Sequence, residues 1–396
     1  MSAPLPPGAT VGIVGGGQLG RMLVLVARRL GYRTVVLDPE PGSPAGQVAD
    51  AQIVAELHEP AALAELATRA DVLTVEWENA DADALEAVAE RVSVRPGPAI
   101  LRVAQHRARE KAAAERFGVP TVPYAWVRAE EELEAALVRV GLPALLKTCR
   151  GGYDGRGQAR VRSLEEARRA AADLRRLDDE LVVERFFALD REFSVLVARA
   201  PSGAVALYEP IENHHCDGVL DWSLAPARLP PPAAARAQAA ALALADGLRL
   251  EGLLAVEFFL TADGQVLFNE MAPRPHNSGH LTIEAAPTSQ FEQALRAVLD
   301  LPLGPTGWRG PAAMVNLLGA HVGRPPLGGL AAALSAVPEA QVHWYGKSEA
   351  RPRRKMGHLT VTADRAEDAL ARALAARERL AAHDAANMSA NSASST

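Results

Sequence analysis

Two carboxylates, Glu257 and Glu270, flank a short turn in the run Glu257-Phe258-Phe259-Leu260-Thr261-Ala262-Asp263-Gly264-Gln265-Val266-Leu267-Phe268-Asn269-Glu270. Asp263-Gly264 is a strong two-residue hairpin signal, and such a turn sets Glu257 directly opposite Glu270, roughly 4.5–5.5 Å apart at Cβ. Like charges at that spacing repel unless a cation lies between them. Magnesium, held by carboxylates and nucleotide phosphates, is the expected cation. The competing reading leaves both carboxylates in water, and the apolar flanks of both strands weigh against it. The next residues, Met271-Ala272-Pro273-Arg274-Pro275-His276-Asn277-Ser278-Gly279-His280, put an arginine, two histidines and an asparagine on a proline-bounded loop, as a substrate wall would be built.

Other segments suit phosphate. In Lys147-Thr148-Cys149-Arg150-Gly151-Gly152-Tyr153-Asp154-Gly155-Arg156-Gly157-Gln158 a strand delivers a lysine into a glycine-rich, cationic loop. Glycines let backbone N–H groups approach phosphate oxygens closely. No Gly-Lys-Ser/Thr ends the loop, so it is not a Walker A motif. Gly15-Gly16-Gly17-Gln18-Leu19-Gly20, with Asp38 downstream, fits a dinucleotide fingerprint, a packing turn, or a site for another small ligand. Lys347 and the run Arg351-Pro352-Arg353-Arg354-Lys355-Met356-Gly357-His358 form a basic cluster suited to a phosphate monoester, against a default of solvated charge. Glu212-Asn213-His214-His215-Cys216-Asp217 lacks metal-ligand spacing and reads as a polar active-site loop.

Only four lysines occur among the 42 basic residues: Lys111, Lys147, Lys347 and Lys355. Codon bias accounts for the ratio. The positions are still informative, because a compact ammonium is not interchangeable with a guanidinium fork. Three of the four fall in the two anion clusters just described.

The elements that must position these groups follow a strand–helix–strand pattern at first. Apolar runs at 10–14, 34–37 and 72–75 alternate with a helical run at 21–30, which predicts a parallel α/β domain. One helix is expected from about 98 to 117. From 124 to about 299 helices and strands mix as α+β. A linker at 302–311 precedes a small third unit, with strands near 312–317 and 358–362 and a helix over about 365–382. The expected domains are 1–105, 106–303 and 304–384, with a disordered tail at 385–396. The chain has 396 residues, enough for two or three domains. With 42 basic and 48 acidic residues its net charge is −6, which argues against a general nucleic-acid or membrane-surface binder. No run reaches the ~18 apolar residues of a membrane helix. The first ten residues show no secretory pattern. Two distant cysteines, Cys149 and Cys216, exclude a disulfide or cysteine-zinc scaffold and fit a reducing cytoplasm.

Over about residues 10–382 the chain resembles the N5-carboxyaminoimidazole ribonucleotide synthetases, ATP-grasp enzymes of purine biosynthesis. The resemblance rests on Gly15–Arg21, Glu76-Trp77-Glu78-Asn79, Arg150–Gln158, Asn269–His280 and Arg353–His358. The Asn269–His280 segment is highly specific, whereas Gly15–Gly20 alone is not. The resemblance implies an ATP-grasp fold with an N-terminal Rossmann-like (pre-ATP-grasp) domain, a small C-terminal domain, and a homodimer. It implies that ATP, bicarbonate and 5-aminoimidazole ribonucleotide give the N5-carboxy product, ADP and phosphate, through carboxyphosphate.

By the same resemblance, ATP would meet Arg107, Lys147, the loop Tyr153, Asp154, Gly155, Arg156, Gly157 and Gln158, the hinge Glu184, Arg185, Phe186 and Phe187, then Glu192, His215, Asn269 and Glu270. Glu257 and Glu270 would hold Mg2+. Gln18, Leu19, Glu78 and Asn277 would hold the ribonucleotide, and Lys347, Arg354 and Lys355 its 5′-phosphate. Tyr153, Asp154, Arg274 and His276 are the candidate reacting groups. Trp77, His106 and Cys149 depart from the family pattern, which has phenylalanine, aspartate and a larger or basic residue there. Lys111, on the helix near Arg107, is expected only in a supporting role. The rival readings are another ATP-grasp ligase (a formate-using glycinamide ribonucleotide transformylase or a biotin carboxylase), an NAD(P)-dependent oxidoreductase, and a catalytically dead nucleotide-binding module. The last predicts a lost metal carboxylate, and both are present.

Overall fold

The computed structural model describes residues 3–152, 156–320, 322 and 329–393. Strands β1 (Thr10–Val14), β2 (Arg33–Leu37), β3 (Ala51–Ile53), β4 (Val72–Val75) and β5 (Ser93–Val94) form a parallel sheet of order β3-β2-β1-β4-β5. β1 and β4 are buried along their whole length, as strands covered on both faces must be. Helix Gln18–Arg29 follows β1 directly and packs Leu19, Met22 and Leu23 into one core cluster with Phe291 and Leu295 of helix Gln290–Val298. The N-terminal sheet is thereby fixed to the rest of the molecule.

The single helix expected over 98–117 is two helices, Pro98–Ala104 and Arg107–Arg116, broken at Gln105-His106. His106 makes the break. It is fully buried, its Nδ1 accepts from the Arg109 N–H at 3.4 Å, and its Nε2 lies 3.0 Å from Glu180. Burial holds this imidazole below its ordinary pKa. A neutral ring with Nδ1 free to accept is the tautomer that can cap a helix start. His106 thus caps the helix that begins with Arg107.

A four-stranded sheet comes next: β6 (Tyr124–Val127), β7 (Ala144–Thr148), β8 (Gln158–Val161) and β9 (Leu181–Arg185), in the order β6-β9-β7-β8. The remaining strands are β10 (Leu189–Arg199), β11 (Val205–Leu207), β12 (Ile211–Cys216), β13 (Val219–Ala225), β14 (Gly252–Thr261), β15 (Val266–Ala272), β16 (Ala312–Leu318), β17 (Gln341–Trp344) and β18 (Lys355–Thr362). They build one sheet of order β15-β14-β10-β12-β13-β16-β18-β17, with β11 beside β10. The C-terminal strands therefore do not make a sheet of their own; β16 pairs with β13. Residues 212–216, expected as a loop, lie in β12 and turn through Asp217 (φ 51°) and Gly218 (φ 78°), the positive-φ pair a tight hairpin needs. One face of the sheet is covered by helix Pro231–Gly247. There Ala233, Ala237, Ala241 and Ala245 recur every fourth residue, all buried, and let the helix lie close against Val195, Val197 and Val256. The last helix runs Ala366–Ala393, beyond the expected 382 and across most of the segment expected to be disordered.

The continuous sheet gathers three histidines. His343 of β17 pairs in register with His358 of β18, and the rings stack at 4.5 Å. His280, in the short helix Asn277–Leu281, lies 4.7 Å from His358. Tyr345 Oη is 2.8 Å from His358 Nδ1. Burial, then the neighbouring His280 and His343, hold His358 well below its ordinary value of 6.5. Below pH 6.5 the unfolded chain therefore takes up a proton at this site that the folded chain refuses, so this contribution to stability falls as pH falls. A His358→Asn variant, less stable at neutral pH, is expected to close on the native chain by about 1.4 kcal/mol per pH unit below 6.5. Urea titrations at pH 7, 6 and 5 check this, and a gap independent of pH would refute it.

Candidate active site

The hairpin β14–β15 turns in three residues, Ala262-Asp263-Gly264, not the expected two. The Thr261 N–H donates to the Gln265 carbonyl at 3.0 Å, and Gly264 takes φ 82°. The register is shifted from the expected one, with Phe258 opposite Phe268. An irregularity between Val256 and Phe258 then restores the expected register at Val256–Met271 and Ala255–Ala272. Glu257 sits at that irregularity, so it and Glu270 reach one cavity through a bulge and not through regular pairing.

That cavity, of about 520 Å³, is lined by Arg107, Lys147, Arg156, Gln158, Phe186, Glu192, His215, Glu257, Asn269 and Glu270. Arg107 Nη1 meets Glu270 Oε2 at 2.7 Å and Nη2 donates to the Gly152 carbonyl at 3.2 Å. Burial raises the Glu270 carboxyl, but the Arg107 charge and hydrogen bond outweigh it and bring it down to about 2. Glu257 has no such partner; burial and the charge of Glu270 push it up to about 7. His276 Nε2 lies 3.0 Å from Glu257, and burial, with Arg274 and Lys355 nearby, holds His276 at about 3. Asn269 Oδ1 is buried without a partner. Two carboxylates and an orphaned amide oxygen on adjoining strands are hard-oxygen donors of the kind Mg2+ takes. Among the described residues no three His, Cys, Asp or Glu side chains converge on a metal-binding arrangement.

A second cavity, of about 660 Å³, is lined by Gln18, Leu19, Glu78, Asn277, Lys347, Arg354 and Lys355. It lies at the C-terminal ends of β1 and β4, where open parallel sheets bind ligands. The Asn277 and Asn316 side-chain amides exchange hydrogen bonds of 3.1 and 2.7 Å, which ties this wall to β16. Lys347 Nζ donates to the Lys355 carbonyl at 2.7 Å. Glu78, Asn79, Arg156, Arg274, His276 and Lys355 line both cavities. In that shared wall Arg274 Nε pairs with Glu78, and its Nη1 donates to the Pro275 carbonyl at 2.9 Å. His276 Nδ1 lies 2.9 Å from Ser278 Oγ, which is 2.7 Å from Ser194 Oγ, so the imidazole has a fixed orientation.

Several expected residues lie elsewhere. Glu184 is 2 % exposed and turned into the protein against Lys111 and Lys147. Arg185 Nε donates to the Val140 carbonyl, and Phe187 packs edge-on against Phe259. Tyr153, Asp154 and Gly155 lie outside the described residues. Glu76, in the Glu76–Asn79 motif, decides how the first glycine loop is used. Its carboxylate accepts from the Gly17 and Gly20 N–H groups at 2.6 and 2.8 Å, and Asp38 accepts from Gly16 at 2.7 Å. A Cβ on Gly15 or Gly17 would come within 2.6 Å of Glu76. The N–H groups that a dinucleotide phosphate would take already hold protein carboxylates, which argues against the oxidoreductase reading.

Three family models match in succession: the ribonucleotide synthetase preATP-grasp domain over residues 8–105, the ATP-grasp domain over 112–291, and the phosphoribosylaminoimidazole carboxylase C-terminal domain over 312–372. The N5-carboxyaminoimidazole ribonucleotide synthase of Brucella melitensis is 45% identical over 356 residues, which cover 90% of this chain and 97% of that one. The chain belongs to the N5-carboxyaminoimidazole ribonucleotide synthase family. The Bacillus subtilis member is 43% identical over 89% of this chain and 91% of its own. Among solved structures, an ADP complex of an N5-carboxyaminoimidazole ribonucleotide synthetase superposes with a TM-score of 0.90 at 41% identity, covering 97% of this chain and all of that one. The Aspergillus clavatus enzyme, in complex with ADP and 5-aminoimidazole ribonucleotide, superposes at 0.85 with 34% identity, covering 94% and 98%. Members of this family are ATP-grasp ligases of purine synthesis, and the fold described above is theirs. Among the described residues no helix is long and apolar enough to cross a membrane.

Proposed function

We propose that the chain carries out the reaction of its family, ATP-dependent carboxylation of 5-aminoimidazole ribonucleotide by bicarbonate, with the nucleotide in the Arg107–Lys147 cavity and the ribonucleotide in the Lys347–Arg354 cavity. The observation that carries this reading is the wall the two cavities share. One bound phosphate chain and one bound amine would meet only there.

Arg107 and Lys147 neutralise the nucleotide phosphates, with Arg156 and Gln158 beside them. Glu257, Glu270 and Asn269 offer the oxygens for Mg2+, which when bound neutralises charge on the transferring phosphoryl group. Bicarbonate, held by Arg274, attacks the γ-phosphorus; the bond to the β-phosphate oxygen breaks and ADP leaves. The carboxyphosphate so formed, or the CO2 it releases, lies within the same wall; the 5-amino nitrogen bonds to its carbon, the carbon–oxygen bond to phosphorus breaks, and the departing inorganic phosphate takes up the amine proton. Phosphoryl transfer of this kind depends on positioning and charge. His276, held neutral and oriented by Ser278, is placed to hydrogen-bond at that point without adding charge. The ribose and base rest on Gln18, Leu19, Glu78 and Asn277, and the 5′-phosphate meets Lys347, Arg354 and Lys355. Glu184 faces Lys111 and Lys147, so the adenine hinge is left to the backbone of Arg185 to Phe187, with the Phe186 ring as its reading surface. A cytoplasmic homodimer completes the reading, supported by the family resemblance.

A Lys347→Met substitution separates the two sites. The Kd for the ribonucleotide is expected to rise by one to two orders of magnitude, while that for a non-hydrolysable ATP analogue stays within a factor of two. Calorimetric titration with each ligand checks this. Equal losses for both ligands would break the assignment of the two cavities.

A further inference from the structure

Lys111 is the lysine that the reaction leaves without a part. It follows Arg107 by one helical turn but lines neither cavity. Its side chain is 1 % exposed. Its Nζ lies 2.9 Å from Glu184 Oε1 and donates to the Asn269 carbonyl at 3.2 Å. The rings of Tyr124 and Phe268 stand at 6.0 and 5.9 Å from it. The second oxygen of Glu184, Oε2, lies 2.7 Å from Lys147 Nζ. One buried carboxylate is thus shared between an ammonium sealed in the interior and an ammonium that faces the nucleotide cavity.

The charges decide what this does. A carboxylate paired with Lys147 alone would form a neutral couple and offer little to a phosphate. With Lys111 on its other oxygen, the group of three carries one net positive charge. Neither Lys111 nor Glu184 reaches the cavity, so that surplus is expressed at Lys147. The low polarisability of a buried site keeps the effect large. The bond to the Asn269 carbonyl adds a second link, since it anchors the strand backbone beside Glu270.

We propose that Lys111 is a positioning residue that balances Glu184 and thereby leaves Lys147 cationic toward the nucleotide phosphates. This rests on the nucleotide role of Lys147 given above.

The test is a charge-compensation set measured on the full chain with a non-hydrolysable ATP analogue, together with the ATP dependence of turnover. Lys111→Met is expected to raise the analogue Kd and the KM for ATP by about tenfold, with kcat changed less. Lys111→Met combined with Glu184→Gln removes one charge of each sign and leaves Lys147 as the sole ion. Its Kd is expected to return to within about threefold of native. A purely structural lysine predicts the opposite, a double variant no better than the single one, and that result would overturn the proposal. Should Lys111→Met fail to fold, the double variant decides alone: a tenfold loss of analogue affinity there counts against the proposal. Lys147→Met separates the two levels. Native affinity in that variant removes the role of Lys147 itself, whereas lost affinity there with native affinity in Lys111→Met removes only the positioning role.

Discussion

Replacing Glu270 by glutamine is expected to lower kcat roughly a thousandfold, about 4 kcal/mol of transition-state stabilisation, while the fold stays intact. Glu270 is the carboxylate held lowest in the nucleotide cavity, at about 2, because Arg107 outweighs the effect of burial. It is therefore ionised throughout the working pH range and available as an anionic oxygen donor. Glutamine keeps an oxygen for Arg107 Nη1, now 2.7 Å away, so the contact between helix Arg107–Arg116 and β15 survives. What it loses is the charge that a divalent cation requires. Raising Mg2+ should recover part of the loss, because a weaker site fills at higher metal. The check is ADP release across a Mg2+ series, with near-ultraviolet circular dichroism as control for the fold. Full turnover in this variant would remove the metal role from Glu270.

The second large effect is expected at Arg274. This side chain lines both cavities and is fixed by Glu78 and by the Pro275 carbonyl. A guanidinium in that wall can hold bicarbonate and then the carboxylated phosphate with two parallel donors; an ammonium cannot. Arg274→Lys is expected to cost about a hundredfold in ribonucleotide-dependent turnover. Its signature is uncoupling. ADP forms more slowly from ATP and bicarbonate, and less carboxylated product appears per ADP. Quantifying both products in one reaction tests this. A variant that loses ADP formation and product in strict proportion would confine Arg274 to the phosphoryl-transfer step and remove its role in holding the carboxylated phosphate.

Much of this site is legible from the sequence because its residues lie in short, dense segments. All seven residues expected at the ribonucleotide line one cavity, and the expected metal carboxylates line the other. What escapes sequence reading is whatever depends on pairing distant segments or on compensating irregularities. The hairpin is an example: a three-residue loop and a bulge offset one another, and neither carries a side-chain signal beyond Gly264. Glu76 is another. Its partners Gly17 and Gly20 are some sixty residues away, with separations of 59 and 56, so a loop that looks open to phosphate is already filled. The joining of β16 and β18 to the central sheet follows from β13–β16 pairing across a long separation, which composition and periodicity do not register. The helix break at His106 was hidden because histidine is not among the usual capping residues.

The lysine positions gain meaning from the structure in the same way. Lys147 and Lys111 share one buried carboxylate, and Lys347 and Lys355 share a wall of the second cavity. Arginine, with five donors to satisfy, would not fit the enclosed position of Lys111, where Glu184 and the Asn269 carbonyl are the acceptors given among the described residues.

In the proposed reaction two cavities, one for a nucleoside triphosphate and one for a ribonucleotide amine, act through one shared wall on bicarbonate. ADP release by the purified chain with Mg2+ and ATP, measured with and without 5-aminoimidazole ribonucleotide and with and without bicarbonate, tests it most directly. The expected result is release that rises sharply only when both ribonucleotide and bicarbonate are present. Release indifferent to the ribonucleotide would contradict it.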